Sequence, residues 1–208
     1  LTLQDFDHIP AITERIIPLL TQSIKEKNGP CHILISGKSG IGKTSSISAI
    51  AKALNLELFF VSSTTKNNSP LSGPIRLKPF QLAQRMCQSM SRAVIVFDEF
   101  DDITRNSMFE DDSKNMITKS FMNKLLEESR TPVFWIANSH DIDPSFIRRM
   151  SLVEKYEINV KKRKEVVVKL LNGVSERCVD AIATRPEITI GVVRNAFDSS
   201  RVPVTIVT

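Results

Sequence analysis

The sequence predicts an α/β fold: a five-stranded parallel sheet flanked by helices, with a small helical lid at the C-terminal end. Three observations predict it. Short apolar runs without internal breaks, the pattern of strands buried on both faces, alternate with stretches whose apolar residues recur at helical spacing. A glycine-rich octapeptide, Gly37 to Thr44, stands between the first such strand and the helix that follows it. A later apolar run, Ala93 to Phe97, ends on the acidic pair Asp98 and Glu99.

The octapeptide reads GKSGIGKT and matches G-x-x-x-x-G-K-[ST] at Gly37, Gly42, Lys43 and Thr44. Its flanks are the ones this pattern requires. Cys31 to Ile35 is a strand-like run before it, and after it Ser45 to Leu54 places Ile47, Ile50, Ala51 and Leu54 on one helical face. A nest of backbone N–H groups and a helix N-terminus then point together at the oxygens of a polyphosphate. The candidate nucleotide-binding residues are Gly37, Lys38, Ser39, Gly40, Ile41, Gly42, Lys43, Thr44 and Ser45. Lys43 is expected on the β and γ phosphates and the Thr44 hydroxyl on magnesium, so ATP and Mg²⁺ are the expected cofactors.

The strand Ala93 to Phe97 delivers the other half of such a site. A carboxylate at Asp98 suits magnesium, a hard ion that prefers oxygen, and Glu99 is placed to orient and deprotonate an attacking water. Pro132 to Ala137 is a further strand, and Asn138 follows it. Parallel strands put these groups on one carboxyl edge, where open α/β sheets bind ligands. An amide there can bond the γ-phosphate or the water.

A chain of 208 residues suits one domain of ordinary size with a small annex, here residues 1–160 and 161–208. Both ends read as cut from something longer, the last on the apolar run Val202 to Val207. No apolar run reaches bilayer-spanning length and no signal-peptide pattern opens the chain, so no membrane partner is expected. Cys31, Cys87 and Cys178 have no ligand or disulfide spacing and read as buried free thiols of a reducing, cytoplasmic setting. The net charge of +5 is modest, and its one cluster, Lys161 to Lys164, reads as a solvated helix start. A single Tyr and a single Trp give little to stack bases on, which weakens a nucleic-acid reading.

The remaining elements follow in order. Leu1 to Ile9 reads as an irregular lead-in, and Ile12, Ile16, Ile17, Leu20 and Ile24 as a helix that Pro18 kinks or restarts. Asn28, Gly29 and Pro30 stop it. Leu56 to Val61 is a strand, Ser62 to Pro79 a long polar loop, and Phe80 to Met90 a helix with Leu82, Met86, Cys87 and Met90 inward. Asp101, Asp102, Glu110, Asp111 and Asp112 lack the spacing of a calcium loop and read as a solvated loop. Met116 to Glu128 is helical through Ile117, Phe121, Leu125 and Leu126; Asp141 to Arg149 is a turn and short helix; Leu152 to Val160 is the last strand. Three short helices follow, with apolar sets around Val167, Val179 and Val193; Cys178 and Val192 are counted among them, and Asn172, Gly173 and Pro186 are stops.

The motifs GKSGIGKT, VIVFDEFDD, WIANS and DPSFIRRM, in that order and ahead of a helical annex, resemble the AAA+ ATPases over nearly the whole chain. The resemblance implies that Gly37 to Thr44 is the Walker A segment, Asp98 and Glu99 the Walker B pair and Asn138 sensor 1. Arg148 and Arg149 then match the arginine finger, which reaches a neighbouring subunit's nucleotide, and Arg194 falls at the sensor 2 position of the lid. It further implies ATP hydrolysis by a homo-oligomeric ring, a hexamer, acting on a macromolecule, protein ahead of nucleic acid. A nucleic-acid motor or loader and a nucleotide-dependent scaffold are the alternatives. Leu71, Ser72 and Gly73 stand where polypeptide-threading relatives carry an aromatic, an apolar residue and glycine.

Overall fold

The computed structural model describes residues 1–26, 29–64, 69, 71, 73–105, 112–171, 174–185 and 187–200. Asn28, Ser72, Glu110, Asp111, Asn172, Gly173, Pro186 and the run 202–207, all discussed above, lie outside them. The chain divides into two units, residues 1–37 with 43–155 and residues 38–42 with 156–208.

The first unit is built on the expected five-stranded parallel sheet. Its strands are β1 (His32–Ser36), β2 (Glu57–Phe60), β3 (Ala93–Phe97), β4 (Val133–Ala137) and β5 (Leu152–Lys155), in the order β2-β3-β4-β1-β5. β1, β3 and β4 are buried along their whole length, which is why they read as unbroken apolar runs. β2 and β5 lie at the sheet edges and are partly exposed. Pairing Ser36 with Ala137 and Phe97 with Trp135 brings the carboxyl ends of β1, β3 and β4 to one edge.

Around the sheet run α1 (Ile17–Glu26), α2 (Lys43–Leu54), α3 (Leu77–Cys87), α4 (Asp101–Arg105), α5 (Asp112–Glu128) and α6 (Pro144–Ile147). Pro18 marks a restart, one of the two expectations: α1 begins at Ile17 with Pro18 in its first turn. A π-helical turn, Ile12–Ile16, precedes it, and the Ile17 N–H bonds Ile12 O; the wider turn accommodates the proline's missing donor and its ring. The lead-in is ordered by a 3₁₀ turn, Leu3–Phe6, whose Thr2 N–H bonds the Asp5 carboxylate. Asn55 takes a left-handed φ of 52° between α2 and β2, as its turn position required.

Several expectations are corrected. α3 begins at Leu77, with Pro79 tolerated in its first turn, and buries Leu77, Phe80 and Cys87, whereas Leu82 and Met86 face solvent. α5 begins at Asp112 instead of Met116 and buries Met122, Leu125 and Leu126 but exposes Phe121. β5 stops at Lys155, because Asn159 caps a new helix by accepting from the Lys162 N–H. Cys178 is exposed, although Cys31 and Cys87 are buried.

Trp135 of β4 centres the core, with ring centroids of Phe100, Phe80 and Phe97 at 4.9, 5.0 and 5.2 Å. Its indole Nε1 donates to His32 Nδ1 at 3.1 Å, so that ring nitrogen is the acceptor and Nε2 donates to Leu126 O at 2.7 Å. Burial holds the His32 imidazole neutral and pushes its pKa down to about 4 from an ordinary 6.5. The unfolded chain therefore binds a proton between those values that the folded chain excludes. Stability from this site is complete above pH 6.5 and is lost as pH falls toward 4. We expect a contribution about 2 kcal/mol smaller at pH 5 than at pH 7. Urea melts at the two pH values check it: His32→Gln should flatten this part of the difference, and an unchanged difference would refute it.

The second unit carries α7 (Val160–Leu170), α8 (Glu176–Ala183) and α9 (Ile190–Ser200) around Val167, Leu171, Val179 and Val193. Val192 is exposed. The basic run is not simply solvated. Arg163 is buried and donates to Arg185 O at 2.7 Å, Lys164 bridges Asp180 and Glu176 at 2.6 and 3.3 Å, and Lys162 pairs with Glu165.

Candidate functional site

The carboxyl edge of the sheet gathers four side chains from three motifs. Lys43 opens α2 and is buried; its Nζ donates to Gly37 O at 2.6 Å and to Asn138 Oδ1 at 2.9 Å. Thr44 Oγ1 donates to Asp98 Oδ2 at 3.2 Å. The first three of the predicted motifs thus meet through hydrogen bonds between residues up to 95 positions apart. Burial lowers the Lys43 pKa, and the charges of Asp98 and Asp101 offset it. An ammonium facing these carboxylates stays charged and can serve as a point charge for phosphate oxygens.

Asp101 was expected in a solvated loop and is instead buried. It opens α4, and its Oδ1 accepts the Asn138 backbone N–H at 3.0 Å. That bond ties the end of β4 to the segment after β3 and so sets where the Asn138 amide stands. Its sequence signal, the third acid of Asp-Glu-Phe-Asp-Asp, is hard to separate from helix capping.

Glu99 has φ 56°, a left-handed conformation that costs a non-glycine residue about 1–3 kcal/mol and persists where surroundings enforce it. The enforcement is visible on both sides. Phe100 is fully buried among the Trp135 and Phe146 rings and its N–H bonds Ile136 O at 2.7 Å, while the Glu99 N–H bonds Asp98 Oδ1 at 2.8 Å. The Glu99 side chain is left exposed at the edge, one residue from Asp98.

Arg76 is the residue that motif reasoning missed. It closes the 3₁₀ turn Gly73–Arg76 and is 1% exposed. Its Nη2 donates to Asp98 O at 2.7 Å and its Nε to Ser62 O at 3.3 Å, with the guanidinium 4.4 Å above the Phe97 ring. A lone arginine in a polar loop offers no pattern, spaced 22 residues from the atom that it holds.

The loop itself has left-handed φ values of 72° at Gly40 and 97° at Gly42, where side-chain-bearing residues are strained. Residues 38–42, which include Lys38, Ser39 and Ile41, group with the second unit, where Gly40 O accepts the Gly191 N–H at 3.2 Å. Ser45 lies in the first turn of α2, partly exposed. Arg194 lies on α9, also partly exposed.

The two consecutive arginines differ. Asp143 caps α6 by accepting the Ser145 N–H at 2.8 Å, and the chain then turns through Arg148 and Arg149. Arg149 Nε bonds Glu127 Oε1 at 2.9 Å and its Nη1 bonds Ser145 O at 2.8 Å. Arg148 is exposed.

A family model described as "ATPase family associated with various cellular activities (AAA)" matches residues 33–159. No curated protein matches the chain. Among solved structures, a single-substitution variant of Thermotoga maritima RuvB superimposes with a TM-score of 0.63 at 16% identity, covering 95% of this chain and 63% of that one. The T. maritima RuvB Holliday junction branch migration motor gives 0.62 at 16%, with the same coverage. A chain of the E. coli MS115-1 HORMA:CdnC:Trip13 complex gives 0.62 at 15%, covering 92% of this chain and 80% of its own length. The chain thus spans 63% of the RuvB chains, and at these identities the likeness is one of fold.

Proposed function

Because the chain belongs to the AAA family of ATPases, we propose that it hydrolyses ATP with magnesium, at a site completed by the next subunit of a ring, to remodel a macromolecule. The observation that carries this reading is the linked set at the sheet edge: Lys43 on Asn138, Thr44 on Asp98, and Glu99 presented beside them. Magnesium fits the donors. Thr44 Oγ1 and Asp98 Oδ2 are hard oxygens 3.2 Å apart, and this ion is ordinarily held by one or two carboxylates with the substrate's phosphates. When bound, it neutralises charge on the β and γ oxygens.

The chain's own groups do the rest. Lys43 releases the Gly37 carbonyl and Asn138 amide to bind phosphate oxygens. Glu99 takes the proton of the attacking water, and the Asn138 amide orients that water or the γ-phosphate. Arg148, exposed and, unlike Arg149, without a side-chain hydrogen bond or ion pair among the described residues, is the finger offered to a neighbour's nucleotide.

A protein substrate is favoured over nucleic acid. The basic run that would track a phosphate backbone is committed internally at Lys162, Arg163 and Lys164. A ring of six is the assembly this reading favours.

The test is ATP hydrolysis per subunit against protein concentration, with assembly followed by mass photometry and Lys43→Ala as the control. The rate should rise with assembly and vanish in Lys43→Ala. A rate per subunit that is flat while the assembly changes sinks the shared site. No hydrolysis by the assembled parent sinks the ATPase reading.

A further inference from the structure

The turn that presents Glu99 is held from one direction that the motifs do not explain. The Asp98–Glu99 peptide has its N–H on Asp98 Oδ1 and its carbonyl, Asp98 O, on the Arg76 guanidinium. This bond is built for permanence: Arg76 is 1% exposed, lies over the Phe97 ring and is braced by Ser62 O at the end of the β2 segment. A charged donor on a carbonyl makes a stronger bond than a neutral one. Burial lowers the pKa of the guanidinium and the charges of Glu99, Asp102 and Asp98, Glu99 first among them, pull it back. Among the described residues its buried Nη1 has no hydrogen-bond partner.

We propose that Arg76 is the positioning residue for Glu99: by clamping Asp98 O against Phe97 and Ser62, it keeps the Asp98–Glu99 peptide in the orientation that imposes the left-handed turn and aims the Glu99 carboxylate. The proposal rests on the reading of Glu99 as the base for ATP hydrolysis. Without the clamp the Asp98 carbonyl is free to rotate and Glu99 relaxes toward an ordinary backbone conformation, carrying its carboxylate away from the reacting water. The bonds of Lys43 to Gly37 O and Asn138 and of Thr44 to the Asp98 carboxylate do not run through Arg76, so nucleotide binding is expected to persist.

The experiment compares Arg76→Met and Arg76→Lys with the parent, each alone and combined with Glu99→Gln. Three readings are taken: affinity for a fluorescent ATP analogue, single-turnover hydrolysis, and amide exchange of the nucleotide-free protein. We expect Arg76→Met to bind the analogue within about threefold of the parent and to hydrolyse about 30-fold more slowly, part of the ~10²–10⁴ that a positioned base supplies. Arg76→Lys, which keeps the cation and a donor, recovers part of the rate. In the Glu99→Gln background Arg76→Met changes the residual rate less than about twofold, because groups acting as one unit are not additive. Exchange at residues 98–100 rises while β1 stays protected.

Parent-like turnover in Arg76→Met, or equal losses of affinity and rate in both backgrounds, overturns the proposal, the second outcome marking a merely structural arginine. Should Arg76→Met fail to fold by circular dichroism, Arg76→Lys decides by the same readings: slowed turnover with intact binding supports the proposal, and parent-like turnover overturns it. If the parent does not hydrolyse ATP, the ATPase reading falls separately, and exchange at 98–100 alone decides whether Arg76 holds the turn.

Discussion

Glu99→Gln is expected to lower the single-turnover rate of ATP hydrolysis by about 10²–10⁴-fold while leaving ATP affinity within about threefold of the parent. The substitution keeps size and shape, so the left-handed turn, the Asp98 contacts and the buried Phe100 should survive it. What it removes is the capacity to accept a proton. Asp98 is not positioned to substitute, since its Oδ2 takes the Thr44 hydroxyl and its Oδ1 the Glu99 N–H. Binding is expected to persist because Lys43 and Thr44, proposed to face the phosphates and magnesium, keep their bonds. Fluorescent-analogue titration beside rapid-quench hydrolysis separates the two effects. A rate within threefold of the parent would move the base elsewhere on the edge.

Arg148→Ala is expected to cost about 10³–10⁵ in rate within the assembled ring, the range that arginine fingers supply, and Arg149→Ala far less. The asymmetry comes from their bonds. Arg149 spends its Nε and Nη1 on Glu127 and Ser145 O of its own subunit, so its loss should show as a small drop in stability, up to about 1 kcal/mol for a partly exposed pair. Arg148 leaves the turn after α6 toward solvent. Mixing decides the geometry. An Arg148→Ala subunit keeps its own Glu99, and a Glu99→Gln neighbour lends it Arg148, so mixed rings should regain part of the rate that neither variant has alone. No recovery on mixing, with confirmed co-assembly, would place Arg148 in its own subunit's site or outside the chemistry. A larger loss in Arg149→Ala would reverse the assignment.

How much of this could be read from the chain depends on where each signal lives. The three buried strands β1, β3 and β4 were legible because a strand covered on both faces has to be apolar at every position. Helix faces were less legible. α3 carries Leu82 and Met86 at helical spacing yet exposes them, because Leu77, Phe80 and Cys87 form a competing face that meets the sheet. The end of β5 was misplaced because Tyr156 to Val160 looks as extended as the strand before it, and only the Asn159 cap turns it into a helix. Arg163, read as one of four solvated cations, is buried because a long side chain can reach a carbonyl 22 positions away.

The sequence by itself determined the order of elements, the glycine loop between β1 and α2, and the residues of the sheet edge, because each is written within a short window or in the fixed reach of parallel strands. Tertiary structure alone decided which neighbours complete that edge. Asp101 under the Asn138 backbone and Arg76 on the Asp98 carbonyl complete it; these bonds, Trp135 on His32 in the core and Glu127 on Arg149 join residues 22 to 103 positions apart. The physical reason is that a side chain's charge and its hydrogen bonds are satisfied by whatever packing brings near, and crossover connections between parallel strands make chain distance a poor guide to that.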